Sequence, residues 1–165
     1  MKVFFYLLIA VPFLAWGIAI TVKEIRFDQQ CEGHLENAAH SSQIPQALSE
    51  MEIAMSYLKA NGMTDGYTSV FYNTQDENVG FWYENLKSAT DELRRESVNR
   101  NITPLEQSNV LLKLDNTIKT TRGGIKMPSG ISIFPHVGLY CLWGWIGAAG
   151  FSVSVLRLLI WIDFN

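Results

Sequence analysis

The sequence predicts an all-α protein in which two transmembrane helices flank a small extramembrane bundle of about four helices. Two observations predict this fold. The stretches 3–22 and 137–156 contain no charged side chain, and each matches the roughly 20 apolar residues that a helix needs to cross a bilayer. The segment between them carries nearly all the charge and shows apolar residues at helical spacing. We therefore divide the chain into a first transmembrane helix (1–22), an extramembrane helical domain (23–130) and a second transmembrane helix with a short tail (131–165).

The composition narrows the possible functions. The chain has 165 residues, with 13 Lys and Arg against 16 Asp and Glu, and a net charge of −3. A nucleic-acid-binding protein needs a basic face, which this balance disfavours. Charged residues make up only 18% of the chain, below the roughly 25% of an ordinary globular domain. The length allows one modest domain between the two apolar stretches.

The first apolar stretch has a second interpretation as a cleaved signal peptide. Lys2 supplies a short positive start, and Gly17 and Ala19 are small residues of the kind found at a cleavage site. The stretch is longer than a typical signal core and Trp16 is bulky, so we favour a retained anchor. The two apolar stretches together predict a multi-pass protein of the cell membrane. Its orientation follows from the short tails and from the signal-like N-terminus, which usually sends the next segment across the membrane. Both termini would be cytoplasmic and the central domain extracytoplasmic.

The first helix is expected to continue past the apolar stretch to about Ala39, because apolar residues recur there at helical spacing. Pro45 suits the first turn of the next helix, where its missing N–H costs nothing. Asn61-Gly62 provides a C-terminal stop. The two helices are predicted to form an antiparallel hairpin. The apolar residues that carry the first pattern are Phe27, Cys31, Leu35 and Ala38.

The segment 64–74 is rich in β-branched and aromatic residues. We assign it as an ordered loop, because no second strong strand lies nearby and a lone strand leaves its edges unpaired. A helix is predicted from about Asp76 to Val98. Its apolar face is formed by Val79, Trp82, Leu86 and Leu93.

The clearest local signal is the start of the last central helix. Thr103 can cap backbone N–H groups, Pro104 fits the first helical position, and Glu106 can reach back to the cap. We expect this helix to end near Gly123-Gly124. The segment 122–135 contains several Gly and Pro residues and is predicted to be non-helical.

Two short runs in the central domain carry a family resemblance. The run 66–70 reads GYTSV, and the run 80–87 reads GFWYENLK. Together they resemble a pattern in small bacterial membrane proteins of unknown function. The resemblance covers mainly the central domain. It implies a bacterial source and no activity, cofactor or site residue.

The sequence shows no catalytic motif, and we predict a protein that is not an enzyme and has no cofactor. It lacks a phosphate-binding glycine loop, a metalloprotease helix motif and a Cys-x-x-Cys pair. Cys31 and His34 lie one helical turn apart and are weak metal candidates, with Glu32, Glu36 or His40 nearby. Two ligands do not make a closed zinc site. The competing interpretation is a buried cysteine and a polar surface histidine.

An aromatic cluster in the central domain is a candidate partner surface, because aromatic side chains dominate interface anchors. The alternative is a loop folded onto the core. The cluster consists of Tyr67, Phe71, Tyr72, Phe81, Trp82 and Tyr83.

Small residues form one face of the second apolar stretch, and a weaker version occurs in the first. Such faces let helix backbones approach closely. They predict either packing of the two stretches of one chain against each other or docking onto another protein or a second copy. The residues are Gly144, Gly147, Ala148, Ser152 and Ser154 in the second stretch, and Ala15 and Ala19 in the first.

These features predict a non-enzymatic accessory or scaffold subunit of a membrane protein complex. Its expected partners are membrane lipids and another integral membrane protein or a second copy, without nucleic acid. The alternative is an extracytoplasmic ligand-binding or sensing module that acts through a partner. An oligomeric two-span channel is a third hypothesis, disfavoured because neither stretch holds a charged residue.

Overall fold

A computed structural model describes the backbone of residues 2–69, 73–99, 102–120 and 124–163, and the side chains of 11, 13–69, 73–99, 102–120, 124–150 and 152. The regular secondary structure of the described residues is helical, which confirms the all-α prediction, and their β-structure is limited to two isolated bridges. The helices are α1 (Lys2–Phe27), α2 (Gly33–His40), α3 (Ile44–Ala60), α4 (Val79–Val98), α5 (Pro104–Ile118) and α6 (Val137–Asp163).

The prediction of two transmembrane helices is wrong by this structure. Among the described residues, no helix combines the length and the apolar character that a bilayer crossing requires. The predicted multi-pass cell-membrane localisation with an extracytoplasmic central domain rests on the same two spans and is corrected with them.

The first helix does continue beyond its apolar stretch, as predicted. A single π-helical turn, Asp28–Glu32, joins α1 to α2, and the flanking residues Phe27 and Gly33 keep right-handed helical dihedral angles. The chain is therefore helical without a break to His40. The inserted π turn places Cys31 in the core, where it is fully buried.

The core lies among α2, α3, α4 and α5, which pack as a small bundle, with the end of α1 inserted beside them. Phe27 closes this end of the core and meets the Tyr57 ring edge-on, with ring centroids 6.2 Å apart. Ile131 and Phe134, in the connection before α6, pack on the same core. The remaining large core side chains are Leu35, Ile44, Met51, Leu58, Met63, Val79, Trp82, Leu86, Leu93, Leu114 and Ile118.

The connection between α3 and α4 is a loop in the described residues up to 69 and from 73 to 74, and a 3₁₀ turn, Gln75–Glu77, precedes α4. Gly66 has a φ of 102°, and a Cβ there would lie 3.1 Å from the Phe134 ring. Glycine readily adopts this positive φ, which other residues rarely do, and it leaves room for the Phe134 ring. The Val79 N–H donates to the Gly66 carbonyl at 2.9 Å, which fixes the loop against the start of α4.

Helix α5 ends at Ile118, earlier than the predicted end near Gly123-Gly124. The chain turns back at this point, because the Lys126 N–H donates to the Ile118 carbonyl at 2.6 Å and the Thr120 N–H donates to the Gly124 carbonyl at 2.8 Å. These pairings replace the helical hydrogen bonds that would have continued α5.

The predicted cap of α5 forms in full. The Glu106 N–H donates to Thr103 Oγ1 at 3.3 Å, and the Thr103 N–H donates to Glu106 Oε2 at 2.8 Å. The backbone hydrogen bond from Thr103, followed by its side-chain hydrogen bond, holds the pKa of Glu106 below its usual value of 4.5. The charged carboxylate is therefore the form that the folded state favours.

We expect Glu106→Gln to destabilise the protein at neutral pH and to lose this effect in acid. Because the folded-state pKa is depressed, the carboxylate contributes stability above the unfolded-state pKa and loses it as pH falls through the folded-state pKa. Urea unfolding midpoints of the wild type and the variant, measured from pH 7 to pH 3, should converge. A constant difference across this range would contradict the assignment.

Candidate functional site

The first and last helices pack on each other through the small residues of α6. A Cβ added to Gly144 would lie 3.0 Å from the Trp16 ring, and one added to Gly147 would lie 2.1 Å from the Phe13 ring. Both glycines therefore allow an aromatic ring of α1 to lie directly on the α6 backbone. Phe13 and Trp16 also stack on each other, with centroids 5.5 Å apart.

Two polar contacts to Tyr140, one turn before Gly144 on α6, also hold α1 against α6. The Trp16 indole N–H donates to the Tyr140 carbonyl at 3.1 Å. The Lys23 ammonium lies 5.0 Å from the centroid of the Tyr140 ring, which is within the range of a cation–π contact. One turn of α6 is thus held by both an indole and an ammonium group of α1.

The other predicted small residues do not all lie in this contact. Ala15 and Ala19 are exposed and line a cleft beside it. Ala148 is exposed, and its carbonyl accepts a hydrogen bond from Ser152 Oγ at 2.8 Å within α6. The Ser154 side chain lies outside the described residues.

An apolar stripe runs along the outside of α1, and we call it the α1 stripe. Its side chains stand at spacings of three and four residues, so they share one face of the helix. Ile18, near its centre, is 64% exposed. Isolated exposed apolar residues are normal, but a row of them on one face marks an interaction surface. The α1 stripe consists of Val11, Leu14, Ile18, Val22 and Ile25.

Comparison of the chain with known families, characterised proteins and solved structures gives no match. The candidate site therefore rests on its own geometry.

The predicted aromatic surface divides between the exterior and the core. Tyr67 is 41% exposed and Phe81 is 44% exposed, whereas Trp82 is only 7% exposed. The Trp82 indole N–H donates to the Lys126 carbonyl at 2.7 Å, so this ring ties the connection after α5 to the core. Tyr83 packs against the core while remaining partly exposed. Phe71 and Tyr72 lie outside the described residues.

Cys31 and His34, the weak metal candidates, are not part of a group of potential metal ligands in the part of the chain that the structure describes. Cys31 is fully buried, and its burial, with a smaller effect of the Glu32 charge, raises the pKa of its thiol to about 12. A metal ligand needs the thiolate form, which this environment opposes. His34 Nδ1 instead lies 2.6 Å from Glu50 Oε2, linking α2 to α3. Within the described ranges, no group of three or more His, Cys, Asp or Glu side chains could hold a metal ion.

The two cysteines should differ sharply in reactivity. Cys31 is buried and Cys141 is exposed, and both are free thiols. At neutral pH a colourimetric thiol reagent is expected to modify one thiol of the folded protein rapidly and the second only after urea unfolding. Cys141→Ser should remove the rapid phase. Two rapid thiols in the folded protein would contradict the burial of Cys31.

Sequence reasoning missed the α1 stripe. Nearly every side chain of 3–22 is apolar, so the spacing of the exposed ones is hidden among neighbours of the same character. The only available signal was the continuation of the three-and-four spacing from Val22 to Ile25, which lies beyond the uncharged stretch. The contact of Trp16 with α6 had no sequence signal, because it joins positions far apart in the chain.

Proposed function

We propose that the protein is a non-enzymatic accessory or scaffold subunit of a protein complex, and that the α1 stripe is its docking surface. The observation that carries this proposal is the row of exposed apolar side chains on one face of α1, while another face of α1 packs on α6. Phe13 and Trp16 already contact α6, so the α1 stripe remains free to meet a second protein.

The partner that fits the α1 stripe is an apolar helix of another protein. Apolar residues at alternating spacings of three and four form the seam on which a second helix packs. Lys23, Glu24 and Arg26 flank one end of the stripe. Charged groups at the edge of an apolar patch form the polar rim that is usual around an interface core.

The exposed rings of Tyr67 and Phe81 offer a second contact on the central bundle. Aromatic side chains often act as anchors in protein interfaces because they bury a large area at a low cost in side-chain entropy. This contact is secondary, since Tyr67 and Phe81 are two rings whereas the α1 stripe has five members.

The docking proposal can be tested with a matched pair of charge substitutions. Ile18 in the α1 stripe is 64% exposed, and Leu112 on α5 is 59% exposed. Because both side chains face outward, aspartate at either position should leave folding intact. We expect Ile18→Asp, but not Leu112→Asp, to shift the tagged chain from a larger assembly to its single-chain mass of 18.7 kDa during sedimentation of a native extract.

The same sedimentation experiment shows whether docking does not use the α1 stripe or whether the partner is a second copy of the chain. Identical profiles for the wild type and both variants would refute docking through the α1 stripe. If the purified wild-type chain alone retains the larger mass, the occupant is a second copy, and docking onto a different protein is refuted.

A further inference from the structure

A cleft opens between α1 and α6, and its α1 side is lined by Ala15, Trp16 and Ala19. Its volume is about 440 Å³, which lies in the usual range of small-molecule sites. The side chains of Trp16, Leu139 and Trp143 provide most of its apolar lining. The small side chains of Ala15 and Ala19 leave the space that the cleft occupies.

One end of the cleft is basic. Tyr140 and His136 line the cleft, and the Lys23 ammonium lies over the Tyr140 ring. Lys23 follows Ala19 by four residues, so it stands on the same face of α1. Among the described side chains, no carboxylate lies within ion-pair distance of Lys23.

The two ends of the cleft therefore favour different parts of one ligand. An apolar body gains free energy by leaving water against Trp16 and Trp143. A negative head gains a charge-assisted hydrogen bond from Lys23, and the His136 ring, which also lines the cleft, offers a further donor. A cationic head would be repelled by the ammonium, and a neutral head would leave the charge uncompensated.

We propose that this cleft binds an amphiphilic carboxylate, with its apolar chain between Trp16 and Trp143 and its carboxylate directed toward Lys23 and His136. This inference goes beyond the docking function, because it needs no protein partner. It assigns the helix pair a small-molecule site in addition to the protein-docking surface.

Titration of the full chain with three amphiphiles of equal chain length tests this site. Decanoate, decanol and decyltrimethylammonium, each below its micelle concentration, differ only in the head group. Isothermal titration calorimetry should show decanoate binding about tenfold more tightly than the other two, the gain typical of one hydrogen bond to a charged group. Equal affinity for all three, or no binding, would overturn the proposal.

Two variants test whether the preference for decanoate depends on Lys23. Lys23→Gln should remove the tenfold preference for decanoate while preserving the helical circular dichroism spectrum. Lys59→Gln, which removes an exposed lysine on α3, should retain it. The indole N–H resonances of Trp16 and Trp143 should shift on decanoate addition, and that of the buried Trp82 should not. A preference that survives Lys23→Gln, or shifts confined to Trp82, would place the site elsewhere and refute the assignment.

Discussion

Gly147→Ala is expected to destabilise the packing of α1 on α6 by about 1–3 kcal/mol, the usual cost of overpacking a close contact. The new Cβ would lie 2.1 Å from the Phe13 ring. Phe13 stacks on Trp16, so displacement of the Phe13 ring by the new Cβ disturbs this stacking as well. Hydrogen exchange of the α6 amides, with the urea unfolding midpoint, measures the effect as a loss of protection in α6.

The same substitution at Gly17 provides the control. Gly17 lies on α1, and a Cβ there meets nothing within 4 Å. Alanine in an open helical position is favoured over glycine by about 0.5–1 kcal/mol, so Gly17→Ala should be neutral or stabilising. The double variant Phe13→Ala with Gly147→Ala should recover α6 protection. Similar results for Gly147→Ala and Gly17→Ala would contradict the close contact.

Trp82→Ala is expected to cost about 3–5 kcal/mol of unfolding free energy, as for other large aromatic truncations in a core. The ring is 7% exposed, and its indole N–H holds the Lys126 carbonyl at 2.7 Å. The substitution therefore both creates a cavity and leaves a carbonyl without its donor. Urea denaturation followed by circular dichroism measures the loss.

Phe81→Ala is the matched control, because Phe81 is the adjacent residue and is 44% exposed. Its effect should stay within about 0.5 kcal/mol, as for most surface substitutions. Trp82→Phe should fall between the two, since it keeps most of the packing and loses the hydrogen bond. Equal costs for Trp82→Ala and Phe81→Ala would show that Trp82 is not a core residue.

Local signals predicted the starts of α3 and α5 and the end of α3 well, whereas α4 begins at Val79 and not at about Asp76. Pro45 lies in the first turn of α3, and Asn61 with Gly62 ends it. Thr103 and Glu106 form the predicted capping box. These features depend on residues within one turn of each other, so the sequence contains the whole interaction.

Features that depend on distant residues could not be predicted. Helix α5 ends at Ile118 because that residue pairs with Lys126, and the indole N–H of Trp82 finds its acceptor in the Lys126 carbonyl, 44 positions away. The stretches 3–22 and 137–156 both lack charge, which predicted membrane spans. Lack of charge describes composition alone, and it cannot show which side chains contact another helix and which remain exposed.

The central claim is that the α1 stripe is covered by a partner in the native assembly. Its direct test is maleimide labelling of Ile18→Cys in a Cys141→Ser background, because Cys31 is buried. We predict that the new thiol is protected in the native assembly and reactive in the purified chain, whereas Leu112→Cys is reactive in both. Equal labelling of the position 18 thiol before and after purification would contradict the claim.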